Sequence, residues 1–180
     1  MNKKVFIRAD ANSKIGYGHI MRCYAIAMMI KNQYSISFFS IDIPKNIKQE
    51  FINKGFTVNI INGNSDFYEY LDRDVIVVSD GYNFNDDYQI NIARKKAKHI
   101  VIDDLHNQIF IADIVINHAP DISKDLYSIS ETTRLALGLD YSLLRPKFLT
   151  AAKNASARTK SDSIFICFGG ADPDNLLEKI

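Results

Sequence analysis

Short apolar runs alternate along this chain with longer stretches in which apolar residues recur at helical spacing. Val5-Phe6-Ile7 predicts a strand. Gly18 to Ile30 predicts a helix, with Ile20, Ala27 and Met28 among its apolar residues. Ser35 to Phe39 predicts a second strand. Pro44 to Asn53 predicts a helix with proline in its first turn and Gly55 just past its end. Phe56 to Ile61 follows as a strand. Val75-Ile76-Val77-Val78 is continuously apolar, as a strand covered on both faces should be. Asp86 to Lys98 predicts a helix whose basic end, Arg94, Lys95, Lys96 and Lys98, suits the negative pole of the helix dipole. His99 to Ile102 and the shorter Ile114-Val115-Ile116 complete the strands.

This alternation, with few hairpin signals, predicts an α/β fold: a parallel, Rossmann-like sheet with helices on both faces. Ligands of such sheets bind at the carboxyl ends of the strands. The residues there are Arg8-Ala9-Asp10, Ser79-Asp80-Gly81-Tyr82, Asp103-Asp104 and Asn117-His118. Residues 1–150 fit one domain. Residues 151–162 are small and polar, the composition of an interdomain linker. Ile164 to Phe168 then reads as a fresh strand, Gly169-Gly170-Ala171-Asp172-Pro173 as a turn, and Asn175 to Ile180 as a helix start. Residues 163–180 therefore look like the opening of a second α/β domain.

Composition narrows the chemistry. The chain has 180 residues, 47% of them hydrophobic and 24% charged, with a net charge of +1. No global field favours nucleic acid or an anionic membrane, so neither is an expected partner. Cys23 and Cys167 lie far apart in apolar runs and form no CxxC pair, which points to buried thiols rather than a metal or redox site. The first apolar run is broken at once by Arg8 and Asp10, too short for a signal peptide. Nothing approaches the roughly 20 apolar residues of a membrane span. A soluble, cytoplasmic chain is expected.

The chemistry-bearing constellation is Ile15-Gly16-Tyr17-Gly18-His19-Ile20-Met21-Arg22, between the first strand and the first helix. Glycines let backbone N–H groups approach a ligand, and a helix N-terminus favours anions. The third glycine of a dinucleotide fingerprint is missing, and no acid stands clearly after the second strand, so a nicotinamide cofactor is not expected. An imidazole at a helix N-terminus can serve as a base, which makes His19 a candidate; the same residues also suit a tight turn in which the histidine only packs. Asp10 or Asp80 can orient His19 through its other ring nitrogen, or simply cap a turn. Tyr82 can stack on a sugar or donate a hydrogen bond. Asp103 and Asp104 read as a solvated turn, since neighbours on a strand face opposite ways. Of His99, His106 and His118, only His118 stands near the expected cleft.

These motifs together resemble the nucleotide-sugar hydrolases of pseudaminic acid biosynthesis and the related spore-coat polysaccharide proteins. The resemblance rests on Arg8-Ala9-Asp10-Ala11-Asn12, Ile15 to Cys23, Asp80-Gly81-Tyr82, Ile102-Asp103-Asp104, Leu137 to Phe148, and Phe168 to Asn175. It implies the first half of a two-domain, glycosyltransferase-B-type fold. The implied reaction is hydrolysis of UDP-2,4-diacetamido-2,4,6-trideoxy-β-L-altropyranose with inversion and release of UDP. His19 would be the general base, with Asp10 and Tyr82 beside it in the catalytic set. Gly16, Tyr17, Gly18, Arg22 and Asp80, with Gly169, Gly170 and Asn175 from the second domain, would bind substrate. No metal or other cofactor is implied. The chain departs from the family pattern at Asn12 and Tyr17, where smaller hydroxyl residues are usual, and this would reshape the sugar pocket. The sequence stops as the second domain's first helix begins. Residues 1–180 alone are therefore expected to be inactive, and the implied partner is a C-terminal half or a second copy of the chain. A glycosyltransferase of the same fold and a non-catalytic binding module are the alternatives.

Overall fold

The computed structural model describes residues 3–154, 164, 166 and 176–179. Its elements are β1 (Lys4–Ala9), α1 (Gly18–Ile30), β2 (Ser35–Ser40), α2 (Lys45–Asn53), β3 (Thr57–Ile60), α3 (Asn64–Tyr68), β4 (Val75–Asp80), α4 (Asp86–Arg94), β5 (Lys98–Ile102), β6 (Ile109–Phe110), β7 (Ile114–Asn117), β8 (Ser128–Ile129), β9 (Arg134–Leu137) and α5 (Pro146–Lys153). A seven-stranded, wholly parallel sheet runs in the order β3-β2-β1-β4-β5-β7-β9. The two short strands β6 and β8 pair separately. The fold is α/β and Rossmann-like, as the alternation predicts.

The alternation of side chains along each strand builds both faces. Val5, Ile7 and Ala9 of β1 and Ile36 and Phe38 of β2 pack under α1 and α2, against Ile20, Cys23, Tyr24, Ala27, Ile47 and Phe51. The opposite parity, Phe39, Val75 and Val77, packs under α3 and α4 against Phe67, Tyr88 and Ile92. The β4 sequence is therefore apolar without a break because neither face meets water. Aromatic rings fill the first layer: Phe51 stacks on Tyr24 at 4.8 Å and lies 4.5 Å from Phe38. A smaller cluster of Val101, Phe110, Ala112, Val115 and Tyr127 covers the β5–β7 end.

Helix α4 ends at Arg94, short of the expected Lys98. Lys95 caps it, Lys96 turns the chain with a left-handed φ of 60°, and Ala97 is already buried again. Lys98 opens β5 and pairs with Asp113 instead of ending a helix. The basic run thus serves a turn and a strand as well as the dipole. Elements α3, β6, β8 and β9 are short and lack a long apolar run. Helix α5, begun by a proline at its first turn, extends into the stretch read as linker. Ile164 and Ile166 lie in no strand, Leu176–Lys179 form a 3₁₀ turn, and the rest of the expected second-domain opening lies outside the described residues. No helix among the described residues is long and apolar enough to cross a membrane.

Behind the carboxyl edge, His99 is 3% exposed, with Nε2 2.7 Å from Ser79 Oγ and Nδ1 unpartnered. Burial pushes its pKa down to about 3, only partly opposed by Asp113. An unfolded histidine titrates near 6.5, so between these values the unfolded chain binds the extra proton. Stability is complete above about pH 6.5 and falls as pH drops toward 3, with a slope from this group of up to ~1.4 kcal/mol per pH unit. Urea titrations across that window should show the slope, and His99→Gln should flatten it. A wild-type slope retained in His99→Gln would rule this histidine out as its source. Phe38→Ala, at a fully buried ring, should cost about 3–5 kcal/mol in the same assay. Ile60→Ala, at a side chain 53% exposed, should stay within about 0.5 kcal/mol.

Candidate functional site

Strand order reverses between β1 and β4, since β2 and β3 continue from β1 in one direction and β5, β7 and β9 from β4 in the other. A crevice opens at such a point beyond the strand ends. Here β1 ends at Ala9, directly opposite Asp80 at the end of β4. Asn12 shapes the loop from β1 to α1: its Oδ1 accepts the N–H groups of Lys14 and Ile15, and its carbonyl accepts that of Gly16. Gly16 has a φ of 76°, which a side chain would strain. Tyr17 precedes the helix and supplies no side-chain cap, and the first turn carries no acidic residue. Asn12 is thus occupied in closing this loop and in donating to Asp42.

His19 follows Gly18 in the first turn of α1 and is buried. Its Nδ1 lies 2.7 Å from Oδ1 of Asp80, whose residue is 1% exposed. Among the described residues nothing bonds to Nε2. The Tyr82 ring meets the imidazole edge-on, with centroids 4.5 Å apart at 89°, and is otherwise exposed. Burial and then the Asp104 charge push the Tyr82 phenol up. Gly81 permits this placement: its φ is 155°, and an added Cβ would sit 3.0 Å from the Phe84 ring.

Arg22 stands one turn beyond His19, on the same helix face. Its Nε donates to Asp80 Oδ2 and its Nη2 to Oδ1, both at 2.8 Å, in a bidentate fork. Its Nη1 donates to Asp104 Oδ2 at 2.8 Å. Burial works against the Arg22 charge, but the bonds and charges of Asp80 and Asp104 outweigh it and hold the guanidinium well above its ordinary range. Its donors face protein carboxylates, because a buried Asp80 without a cation would be costly.

Asp104, expected in a solvated turn, belongs to this cluster through Arg22. Its neighbour Asp103 turns elsewhere and accepts from the His106 N–H and the Tyr127 hydroxyl. Asp10 does not touch His19. Its Oδ1 accepts the N–H groups of Ile41 and Asp42 and pairs with buried Arg8 at 2.8 Å. Of the two candidate orienting carboxylates, the structure brings Asp80 to the imidazole and leaves Asp10 on the wall of a small cavity of about 70 Å³ that it shares with His19, Asp80, Gly81 and Tyr82. A second hollow of about 230 Å³ adjoins it, lined by His19, Asp80, Tyr82, Asn85, Asp104 and Asn107 among others. A larger hollow, about 680 Å³, lies between α2 and the start of α5 and contains none of this chemistry. His118 feels the charges of Arg22, Asp80 and Asp104; burial first, and then Arg22, push it down. Gly169, Gly170 and Asn175 lie outside the described residues.

Sequence reasoning missed Asp104 and the carboxylate contacts of Arg22. The available signal was positional: Arg22 follows His19 by three residues on a helix, and Asp104 follows a strand at the same sheet edge. No family model matches the chain. It is 29% identical over 193 residues to an uncharacterised protein of Methanocaldococcus jannaschii, with 98% of this chain and 39% of the relative covered. It is 27% identical to the UDP-2,4-diacetamido-2,4,6-trideoxy-beta-L-altropyranose hydrolase of Campylobacter jejuni, covering 96% of this chain and 62% of that protein. It is 24% identical to the spore coat polysaccharide biosynthesis protein SpsG of Bacillus subtilis, covering 98% and 53%. The chain thus spans between 39% and 62% of the length of these curated relatives and is similar, at low identity, to proteins named for sugar-nucleotide hydrolysis and polysaccharide biosynthesis.

Proposed function

We propose that this chain carries the catalytic domain of a nucleotide-sugar hydrolase that releases UDP from a UDP-linked diacetamido sugar, the class named in the Campylobacter jejuni relative. The observation that carries this reading is the His19–Asp80 pair at the switch point of the sheet, with Nδ1 held and Nε2 open. A base needs its lone pair aimed at the attacking nucleophile and its other nitrogen fixed.

On this reading a water molecule attacks the anomeric carbon. His19 Nε2 takes one proton of that water as the new C–O bond forms, and the C–O bond to the diphosphate breaks, its electron pair leaving with UDP. Attack opposite the leaving group inverts the carbon. Asp80 keeps Nδ1 protonated and stabilises the imidazolium, as a buried carboxylate does beside a catalytic histidine. Gly16 shapes the loop, and the backbone of Tyr17 and Gly18 at the uncapped start of α1 favours the diphosphate. Tyr82 lies against the imidazole and positions the sugar, and Asp10 borders the small cavity beside His19. Residues 1–150 are the catalytic domain in this proposal, 151–162 the linker, and 163–180 the start of a nucleotide-binding domain to which Gly169, Gly170 and Asn175 belong.

The test is UDP release by the complete gene product. His19→Ala should lower kcat by about 10²- to 10⁴-fold, with substrate binding little changed. Tyr82→Phe should be milder, because the ring that meets His19 remains. An unchanged kcat in His19→Ala would make the histidine structural. A glycoside rather than a free sugar as product would convert the proposal to a transferase.

A further inference from the structure

We propose that Arg22 is a positioning residue that keeps His19 competent as a base: by clasping Asp80 and anchoring on Asp104, it holds the imidazole in the singly protonated, Nδ1–H form. This rests on the reading of His19 as the base. Its first test is independent of turnover.

Two groups face Nδ1. Asp80 Oδ1 is 2.7 Å away, and Arg22 Nη2 is 3.0 Å away. A guanidinium nitrogen donates and never accepts, so a proton on Nδ1 bonds only to Asp80. A bare Nδ1 would instead accept from Nη2, put the ring's proton on Nε2 and remove the base. Of the two N–H groups on Nη2, one is taken by Asp80 Oδ1 at 2.8 Å. A bare Nδ1 would also face Oδ1 lone pair to lone pair at 2.7 Å, so the charge-assisted bond from Nδ1–H to that carboxylate prevails, and the 3.0 Å approach of Nη2 is that of two donors sharing one oxygen.

The charge balance gives the second half of the argument. Around the imidazole stand Asp80 from the end of β4, Tyr82 after it, Arg22 from α1, Asp104 after β5, His118 after β7 and Asp10 after β1. Asp10 has its own cation in Arg8. Arg22 is the fixed cation touching Asp80. Without it, a carboxylate 1% exposed would be left with His19 as its partner, and the cheapest compensation is a second proton on the ring. That proton sits on Nε2, where a base must be empty. Asp104 fixes the far end of the guanidinium, so the fork keeps its angle on Asp80.

The experiment is ¹⁵N–¹H NMR of the imidazole rings, which reports tautomer and charge together. Wild-type protein at pH 7 should show His19 singly protonated on Nδ1. Arg22→Met should show a doubly protonated ring at pH 7 that loses the second proton as pH rises, and Arg22→Lys should keep the single proton. In turnover, Arg22→Met should lose about 10-fold or more in kcat at neutral pH, recover part of it in alkali, and leave KM nearly unchanged. A wild-type ring protonated on Nε2 overturns the proposal, as does an Arg22→Met ring that stays singly protonated on Nδ1. If Arg22→Met does not fold, the other two spectra decide, and a doubly protonated ring at pH 7 in either overturns it. Spectra as expected from a protein that hydrolyses no nucleotide sugar would support the clasp and sink the hydrolase reading.

Discussion

A carboxylate taken out of water must find its compensation in the protein, and Asp80 imposes that demand on everything around it. It ends β4 in the middle of the sheet, 1% exposed. An unpaired charge there would oppose folding by several kcal/mol. Arg22 and His19 answer it, one turn apart on α1. The pair of contacts fixes the rotation of α1 over β1 and β4 and leaves the adjoining face of that helix to Ile20, Cys23, Tyr24 and Ala27 in the core. The charge cluster and the apolar core thus specify the same helix placement.

The parallel sheet makes this arrangement available. Every strand reaches the same edge pointing the same way, so residues distant in sequence, His19, Asp80 and Asp104, meet without any long excursion of the chain. The glycines serve the same geometry. Gly16 turns the loop back toward α1, and Gly81 lets the chain leave β4 over Phe84 with Tyr82 against the imidazole. Neither position tolerates a side chain at its observed φ without strain.

The sheet and most helices were legible because their signals are local. Gly18–Ile30 has the bounds that its spacing predicts, and the apolar run at Val75 marks the central strand. The end of α4 was not legible: Arg94 to Lys98 reads as a helix end, but Asp113, brought near by β7, draws Lys98 into the sheet edge. The candidate site divides the same way. His19, Tyr82 and Asp80 follow from their places after glycines and strand ends. The choice of Asp80 over Asp10 does not, because Asp10 is claimed by Arg8 and by two backbone N–H groups of the β2 loop. The carboxylate partners of Arg22 are not legible either, since they lie 58 and 82 residues away.

The charges lining the crevice bear on how a substrate of the proposed class would lie. The hollow of about 230 Å³ beside His19 is walled by Asp80, Asp103 and Asp104 together with Asn85, Asn107 and Gln108. The guanidinium nearest to it is bound to two of those carboxylates. A diphosphate entering there would meet like charge with no free cation among these residues. Sugar hydroxyl and amide N–H groups would meet acceptors. The start of α1 at Tyr17 and Gly18 offers the reverse, backbone donors at an uncapped helix end without an acidic residue in its first turn. The hollow and the helix start therefore differ in sign. A substrate with a donor-rich sugar and an anionic leaving group would suit both in one orientation, its sugar toward the carboxylates and its diphosphate toward the start of α1.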